Sequence, residues 1–337
     1  MTAEFSERDL AALRAPREFP AVSVIMPTQR THQGNRRDPV VLRDLLDETA
    51  ARLHSENLPH GMSAEVLAAL DRAADSVDLR HTADALTLFA AVDGEHYAFT
   101  LPYVRPVARV VIGRCFATRA LVCAQEHAWR HWVLALSEQS ARLWSGTGER
   151  LALRRGFPRG DWHHVFGEVG GVLAQDSRPL VVTGVKRDLA YFAQLAPASV
   201  KSQFIGSVEG DFDQATGLEL AAWVTPVLSA ERERWQRSSI ERLDVARSER
   251  LFASGLSEVW DLAAAGQVRE LLVEEDYLAP ARQSGGHLLP PGDPGGEPVD
   301  DAVDTIMDAV LNGGGEVIFV PDGSLEDCQR IAASLRY

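Results

Sequence analysis

The chain has 337 residues, 45% apolar and 24% charged, and this composition excludes disordered, collagen-like and coiled-coil proteins. No apolar run approaches the ~20 residues that span a bilayer, and the acidic N-terminal stretch lacks the basic start of a signal peptide. We therefore expect a soluble cytoplasmic protein with no membrane partner. The three cysteines, Cys115, Cys123 and Cys328, lack CxxC spacing, which predicts reduced thiols rather than disulfides or a zinc ribbon.

The net charge of −14 is concentrated near the C-terminus. Residues 251–337 hold 4 basic and 16 acidic side chains, whereas residues 1–130 and 131–250 are close to neutral. Because phosphate repels so acidic a segment, we expect a protein as its partner. The first 250 residues contain many arginines, which suit bidentate phosphate contact. That excess is compatible with RNA contact and equally with coding bias.

The first segment, residues 1–130, has the pattern of an N-terminal α/β domain. Apolar runs predict strands, three- and four-residue spacings predict helices, and Asp93-Gly94 predicts a hairpin turn. The predicted elements are a strand at 22–27, helices at 40–53 and 63–80, a hairpin at 86–101 and a strand at 107–112.

The middle segment, residues 131–250, is predicted to begin with a meander of three short strands. The stretch 154–178 has many turn-forming and basic residues, so we interpret it as irregular. The run Leu180 to Val185 predicts a fully buried strand, and a long helix starting near Thr216 is predicted to lead into the third segment.

The C-terminal segment, residues 251–337, alternates helix and strand, which is the pattern of an α/β/α sandwich. Residues 279–298 are rich in Pro and Gly and predict a mobile surface loop. Four acids follow helical spacing and lack the features of a calcium loop, so we interpret them as a solvated helix face. These acids are Asp300, Asp301, Asp304 and Asp308.

Several stretches of the chain together resemble one known family. They are VSVIMPTQR with the VVLRDLLDE helix, WVLALSEQSARLW, PLVVTGV and IAASLRY. They resemble family three of the bacterial archaeo-eukaryotic release factor-like proteins, in the peptide release factor and Pelota superfamily. The resemblance implies an N-terminal α/β domain, a ribonuclease-H-like middle domain, and a C-terminal domain like the kink-turn-binding ribosomal proteins.

The resemblance also implies a protein that enters the ribosomal A site, contacting ribosomal RNA and the tRNA site. In relatives the C-terminal domain usually binds an elongation-type GTPase, which agrees with the acidic charge of residues 251–337. True release factors carry Gly-Gly-Gln in a middle-domain loop, and this chain has no Gly-Gly-Gln. Peptidyl-tRNA hydrolysis by that mechanism is therefore not expected.

Two arginine-rich stretches are candidates for RNA contact, because guanidinium groups pair with phosphate and aromatic rings stack on bases. One follows the strand at 22–27, and the other lies within 154–171. An ordinary solvated loop is the competing interpretation of each. The predicted RNA-binding residues are Arg30, Arg36, Arg37, Arg154, Arg155, Arg159, Trp162, His163 and His164. At the end of a C-terminal strand, Glu274, Glu275 and Asp276 are candidates for binding a basic partner.

We predict no catalytic residue, metal or cofactor. His127 and His131 have the four-residue spacing of metal ligands but no evident third ligand. No nucleophile accompanies His163 and His164, and the middle-domain strands lack the carboxylates of two-metal nucleases.

The leading hypothesis is a translation factor that acts by occupying the A site, in ribosome rescue or dormancy. The alternatives are a hydrolase acting on peptidyl-tRNA or RNA through residues 154–171, and a protein-interaction adaptor that does not bind RNA.

Overall fold

The computed structural model shows a multidomain α/β protein with several sheets. The chain forms two compact units, one of Met1–Glu126 with Ser239–Tyr337 and one of His127–Ser238. We name them the discontinuous unit and the inserted unit. No helix in the part of the chain described is long and apolar enough to cross a membrane. The structure describes residues 7–30, 35–56, 58–59, 61–138, 140–158, 161–290 and 292–337.

The N-terminal part of the discontinuous unit is a four-stranded antiparallel sheet with helices. Its elements are α1 (Glu7–Arg14), β1 (Ala21–Pro27), α2 (Asp38–Ser55), α3 (Met62–Asp75), β2 (Ala85–Ala90), β3 (His96–Leu101), β4 (Arg109–Gly113) and α4 (Arg119–His127). The strand order is β3-β2-β1-β4. Val22 and Val24 of β1 pack in one core with α2 and α3, whereas Ile25 faces a second core, as the period of a strand requires. The strands and helices predicted in this part are confirmed, except that the helix predicted over 63–80 ends at Asp75.

The C-terminal part of the same unit contains a mixed four-stranded sheet. Its elements are β10 (Phe252–Ser254), α9 (Leu256–Ala264), β11 (Val268–Glu274), β12 (Ala281–Ser284), β13 (His287–Leu288), β14 (Glu297–Val299), α10 (Ala302–Asn312), β15 (Glu316–Val320) and β16 (Ile331–Leu335). The order is β10-β16-β11-β15, with β11 and β15 parallel and the other pairs antiparallel. The predicted alternation of helix and strand is thus present, and α9 packs against α10.

One hydrophobic core runs through both parts of the discontinuous unit. Phe89 and Phe116 of the N-terminal part stack with their ring centroids 4.9 Å apart, and they share this core with Trp260 and Phe319 of the C-terminal part. Each of the three predicted segments therefore has its own sheet, while the first and third share a core. The three-domain division at residues 130 and 250 stays a prediction.

Acidic side chains of α10 are buried, which corrects the interpretation of a solvated helix face. Arg119 Nη2 lies 2.9 Å from Asp301 Oδ2, and Arg109 Nη2 lies 3.2 Å from Asp304 Oδ2. Both arginines belong to the N-terminal part of the discontinuous unit. Their guanidinium groups compensate the loss of hydration that burial of the carboxylates entails.

Asp300 and Asp308, at the two ends of this series, also contact the N-terminal part. Asp300 Oδ2 accepts hydrogen bonds from Arg52 Nη2 at 2.6 Å and from the Ile112 N–H at 2.8 Å. Asp308 Oδ1 accepts one from Thr118 Oγ1 at 3.2 Å. All four acids of the series are therefore used within the molecule.

Residues 279–298, predicted to be a mobile loop, instead hold the small sheet β13-β12-β14. Gly285 and Gly286 both have positive φ values, of 60° and 87°, and form the two-residue turn between β12 and β13. Arg282 Nε donates to the carbonyl of Gly295 at 2.5 Å. Gly285 and Gly286 thus form a hairpin turn, and Gly295 supplies a hydrogen-bond acceptor.

The inserted unit is a five-stranded mixed sheet between helices. Its elements are β5 (Arg130–Leu136), β6 (Ser140–Thr147), β7 (Arg150–Pro158), α5 (Trp162–Gln175), β8 (Leu180–Gly184), α6 (Lys186–Leu195), α7 (Ala198–Lys201), β9 (Phe204–Glu209) and the first part of α8 (Gly217–Ser248). The order is β7-β6-β5-β8-β9, with β5, β6 and β7 antiparallel and β5, β8 and β9 parallel. Helices α5, α6 and α7 cover one face, and α8 covers the other. The predicted meander, buried strand and long helix are confirmed.

The stretch 154–178 is not an irregular loop, which corrects the prediction. Strand β7 continues to Pro158, and α5 begins at Trp162 with the Asp161 side chain accepting the His163 N–H at 2.9 Å. This is an ordinary helix N-cap. The buried residues of α5 recur at three- and four-residue intervals, a helical period obscured by the neighbouring glycines. They are Val165, Phe166, Val169 and Leu173.

Candidate functional site

The predicted RNA-binding residues fall into one group in each unit. In the discontinuous unit, Arg30 follows β1 and is tied to Asp84, with 2.7 Å between Arg30 Nε and Asp84 Oδ1. The Tyr103 N–H also donates to Asp84, at 2.7 Å. Burial alone would raise the pKa of Asp84, but the bonds from Arg30 and Tyr103 outweigh it and hold the pKa below its ordinary value. Arg30 is therefore committed to an internal pair.

Arg36 and Arg37 are both exposed, in the 3-10 turn Asn35–Arg37 that leads into α2. Among the residues that the structure covers, neither side chain has an acidic partner. The following residue, Asp38, is buried and accepts the Gln29 N–H at 3.0 Å, which fixes the start of the helix. The turn therefore presents two guanidinium groups that no acid among the described residues neutralises.

In the inserted unit, Arg154 and Arg155 lie on the edge strand β7. Leu143 pairs with Arg155 and Trp144 pairs with Leu153, so Arg154 is the extra residue of a β-bulge. Bulges re-aim a side chain at the edge of a sheet, and Arg154 is exposed. Arg155 instead forms an ion pair with Glu168 of α5, with 2.7 Å between Arg155 Nη2 and Glu168 Oε2.

Trp162, His163 and His164 occupy the first turn of α5. The ring of Trp162 stacks on Phe166, with centroids 5.7 Å apart and planes 17° from parallel, so this indole belongs partly to the core. His163 and His164 are exposed. The Arg155–Glu168 pair joins β7 to α5, which brings this helix alongside the arginines of the strand. Arg159, also predicted to bind RNA, lies outside the described residues.

The predicted partner-binding residues separate into buried and exposed members. Glu274 is 1% exposed and accepts bonds from the Leu325 N–H at 2.9 Å and Arg330 Nε at 2.6 Å. It bonds to the connection between β15 and β16 and is not presented to a partner, which corrects the expectation for this residue. Glu275 is half-buried, and Asp276 is exposed. Burial and the neighbouring charge of Asp322 raise the pKa of Asp276.

The histidines at 127 and 131 lie on different elements. His127 ends α4, whereas His131 lies in β5, fully buried, with Nδ1 3.0 Å from the Trp129 carbonyl oxygen. Burial lowers the pKa of His131, which favours the neutral ring. Within the described ranges, no three His, Cys, Asp or Glu side chains are grouped so that they could hold a metal ion.

One surface was missed by the sequence analysis. Leu218 and Trp223 near the start of α8 are 77% and 60% exposed. Leu220 and Val224 form the buried face of this helix. Leu218 and Trp223 lie off that face, and their helical spacing could have indicated that they are exposed.

Comparison with known proteins matches most of the inserted unit and the part of the chain that follows it. Residues 163–267 match the family described as Bacterial archaeo-eukaryotic release factor family 3. No curated protein sequence matches the chain.

Among solved structures, Pelota of Archaeoglobus fulgidus is 18% identical, with a TM-score of 0.40, over 75% of this chain and 79% of that chain. S. cerevisiae Dom34, described as a translation termination-like factor, is 13% identical, with a TM-score of 0.42, over 72% of this chain and 74% of its own. A model of ribosome-bound archaeal Pelota and ABCE1 is 13% identical, with a TM-score of 0.46, over 97% and 92%.

The family match covers α5, β8, α6, β9 and α8 and continues into α9. It includes PLVVTGV, one of the stretches on which the resemblance was based. The recognition made from the sequence is confirmed over residues 163–267, which match the model of family three of the bacterial archaeo-eukaryotic release factors.

Proposed function

We propose that the protein binds the ribosome and acts by occupying its A site, in the rescue of stalled ribosomes or the protection of idle ones. The observation that carries this proposal is the match of residues 163–267 to a release factor family. The strand order β7-β6-β5-β8-β9, with three antiparallel strands followed by two parallel ones, supports the ribonuclease-H-like description of the middle domain.

The RNA contact of this proposal rests on three exposed arginines. Arg36 and Arg37 lie on the turn before α2, and Arg154 is the bulged residue of β7. Arginine outside an ion pair is free to neutralise phosphate, and that contact supplies affinity without sequence specificity. Arg30 and Arg155 contribute less, because Asp84 and Glu168 already neutralise them.

Occupancy without hydrolysis is the form of the proposal that the residues support. The sequence has no Gly-Gly-Gln, and β5 and β8 contain no acidic residue. His163 and His164 are exposed on the first turn of α5, and neither makes a side-chain hydrogen bond to a nucleophile among the residues described. A base for acyl transfer needs such a partner within reach.

A GTPase partner for the C-terminal segment belongs to the same proposal. Of the 16 acids in residues 251–337, the α10 series and Glu274 are bonded internally. Glu275, Asp276 and Asp322 lie near one end of β11 and β15, where the Asp276 N–H donates to Asp322 Oδ1 at 3.4 Å and Arg330 pairs with Asp322 at 2.8 Å. An acidic patch of this kind suits a basic protein surface better than RNA.

The test is co-sedimentation of the purified protein with empty and with translating ribosomes, at salt concentrations from ~50 to ~200 mM. We expect salt-sensitive pelleting, and we expect Arg36→Ala, Arg37→Ala and Arg154→Ala together to weaken it and to lower the salt slope by up to about three. The control is Arg237→Ala, an exposed arginine on α8 outside both groups.

The results separate the alternatives. Preference for empty ribosomes would favour dormancy, and preference for stalled ones would favour rescue. Absence of pelleting at low salt, with or without an elongation-type GTPase, would contradict the proposal in favour of an adaptor. Release of peptide from peptidyl-tRNA by the protein alone would replace occupancy by hydrolysis.

A further inference from the structure

The first turns of α8 carry an apolar face that is left uncovered by the residues the structure describes. The inner side of these turns packs on the sheet through Leu220 and Val224. The outer residues follow a spacing of about four and are all exposed, with Leu218 and Trp223 at 77% and 60%. We name this surface the α8 face, and it consists of Leu218, Ala222, Trp223 and Pro226.

Trp223 is held in place while most of its ring remains exposed. Its ring meets Phe212 edge to face, with centroids 6.2 Å apart and planes at 68°, and Phe212 is buried in the core under α8. A tryptophan oriented by a buried neighbour loses little conformational freedom when it is covered. Tryptophan is also among the residues that contribute most to protein interfaces.

The proline of the α8 face leaves a hydrogen-bond acceptor beside the tryptophan. Pro226 lies inside the helix and has no N–H to donate to the carbonyl of Ala222, one turn earlier. Ala222 is exposed on the same face, and its carbonyl lacks the helical N–H donor that a residue other than proline would supply. A charged N–H donor makes the stronger bond to such an oxygen.

The charged side chains of the chain segment that carries the α8 face have one sign. Residues 202–231 contain five acids and neither lysine nor arginine. Asp211 and Asp213 lie in the segment that carries Phe212, and Glu219 is in the first turn of α8, where it accepts the Thr216 N–H at 2.9 Å. Arg142 reaches the same segment, but its guanidinium donates to the carbonyl oxygens of Phe212 and Ala215.

We propose that the α8 face binds a basic amphipathic segment of a partner protein, with an apolar side chain against Trp223 and lysine or arginine toward the acidic rim. Nucleic acid does not fit, because its phosphates would meet Asp211, Asp213 and Glu219. A symmetric dimer through this face does not fit either, since two-fold symmetry would set the acidic rims of the two copies opposite each other. This site is independent of the arginines assigned to RNA.

The probe is an 18-residue peptide of leucine and lysine with helical amphipathic spacing, titrated into the full-length protein by calorimetry. Its comparison peptides have glutamate in place of lysine, or the same composition in an order without amphipathic spacing. The variant is Leu218→Ser with Trp223→Ser, both at exposed positions. The control variant is Val245→Ser, because Val245 is 57% exposed farther along the same helix, between Arg242 and Arg247.

We expect the leucine-lysine peptide to bind the native chain and Val245→Ser equally, and the double variant roughly 30-fold more weakly, as for the loss of a central aromatic anchor. Asp213→Lys should weaken binding at low salt and have little effect at high salt. The proposal would be overturned if the double variant bound the leucine-lysine peptide as tightly as the native chain does. It would also be overturned if the native chain bound the glutamate peptide, or the peptide without amphipathic spacing, equally well. Loss of single-stranded RNA binding or of self-association in the double variant would overturn it too, because either would identify a different occupant.

The ribosome experiment and this titration can fail separately. Absence of ribosome pelleting with peptide binding retained would contradict the proposed function and leave the α8 face as a protein-binding site. Ribosome pelleting without peptide binding would support the proposed function and contradict the α8 face as a protein-binding site.

Discussion

Arg119 Nη2 and Asp301 Oδ2 are 2.9 Å apart, although 182 residues separate them in the chain. The side chains are only 5% and 1% exposed. Removing one member of a buried ion pair is costly, because the other has lost both water and its partner. The contact therefore links the N-terminal and C-terminal parts of the discontinuous unit in a way that mutation can measure.

We expect Arg119→Met to lower the free energy of unfolding by about 3–5 kcal/mol, measured by urea denaturation. Asp301→Asn retains an oxygen for the N–H groups of Ala279 and Val303, which Asp301 Oδ1 now accepts. The double variant should therefore lose less than the sum of the single variants.

The exposed pair of Asp78 and Arg80 is the control for this cycle, with side chains 45% and 72% exposed. Its two substitutions, Asp78→Asn and Arg80→Met, should be nearly additive, because solvent screens the charges. Strict additivity at Arg119 and Asp301 would show that the two parts are not coupled through this contact.

Asp308 should make the protein less stable as pH rises. Burial, and after it the repulsion of Asp304, raises the pKa of Asp308 well above 3.8. The folded state then binds a proton that the unfolded state releases, so stability falls as pH rises from about 3.8 through the folded pKa. Asp308→Asn should remove this slope and raise stability at neutral pH, by about 1 kcal/mol or more.

Urea denaturation across a pH series measures this effect, with the exposed Asp71→Asn as its control. The pKa of Asp301 is shifted in the same direction, to about 6, by burial and by the charge of Asp304. In Asp308→Asn, the loss of stability that Asp301 still causes should therefore be confined to pH values below about 6. If Asp308→Asn left the pH dependence of stability unchanged, Asp308 would be ionised in the folded protein with no loss of folding free energy.

Asp161→Ala should lower stability by about 1 kcal/mol, because the side chain caps α5 through the His163 N–H. Asp161→Asn keeps an oxygen acceptor and should lose much less. Thermal denaturation of the two variants makes the comparison. Equal losses would indicate that the charge at the helix start, rather than the cap geometry, is what stabilises α5.

Gln329 has a left-handed backbone, with φ of 58°, and Gln329→Gly should be more stable than Gln329→Ala by about 1 kcal/mol. Comparing two truncations at one position cancels the loss of the glutamine side chain. At Gln175, the last residue of α5, alanine should instead be the more stable substitution. A preference for alanine at both positions would exclude backbone strain at Gln329.

The period of apolar residues was sufficient to predict most elements of the fold. The run from Leu180 to Gly184 is buried at every position, so its strand needed only local sequence. Helix α5 was missed because Gly156, Pro158 and Gly160 precede it and suggested a continuing loop. The capping aspartate followed by apolar residues at helical spacing was the stronger signal.

The buried acids of α10 show a limit of a different kind. Asp301 and Asp304 have the spacing of a solvated helix face, and their arginine partners are nearly 200 residues away. Local pattern cannot distinguish a charge that faces water from one that faces a distant partner. The burial of Glu274 could not be recognised for the same reason. Its partner, Arg330, is distant in the sequence.

The discontinuous unit also imposes an order on events during synthesis. Its N-terminal part is made first, with Arg109 and Arg119 and the apolar side chains of the shared core, but their partners come only after residue 239. The inserted unit has its own sheet and cores and can fold in that interval. A nascent chain stopped before α10 would therefore expose two arginines and an apolar surface to the chaperones around it, while already presenting a finished inserted unit.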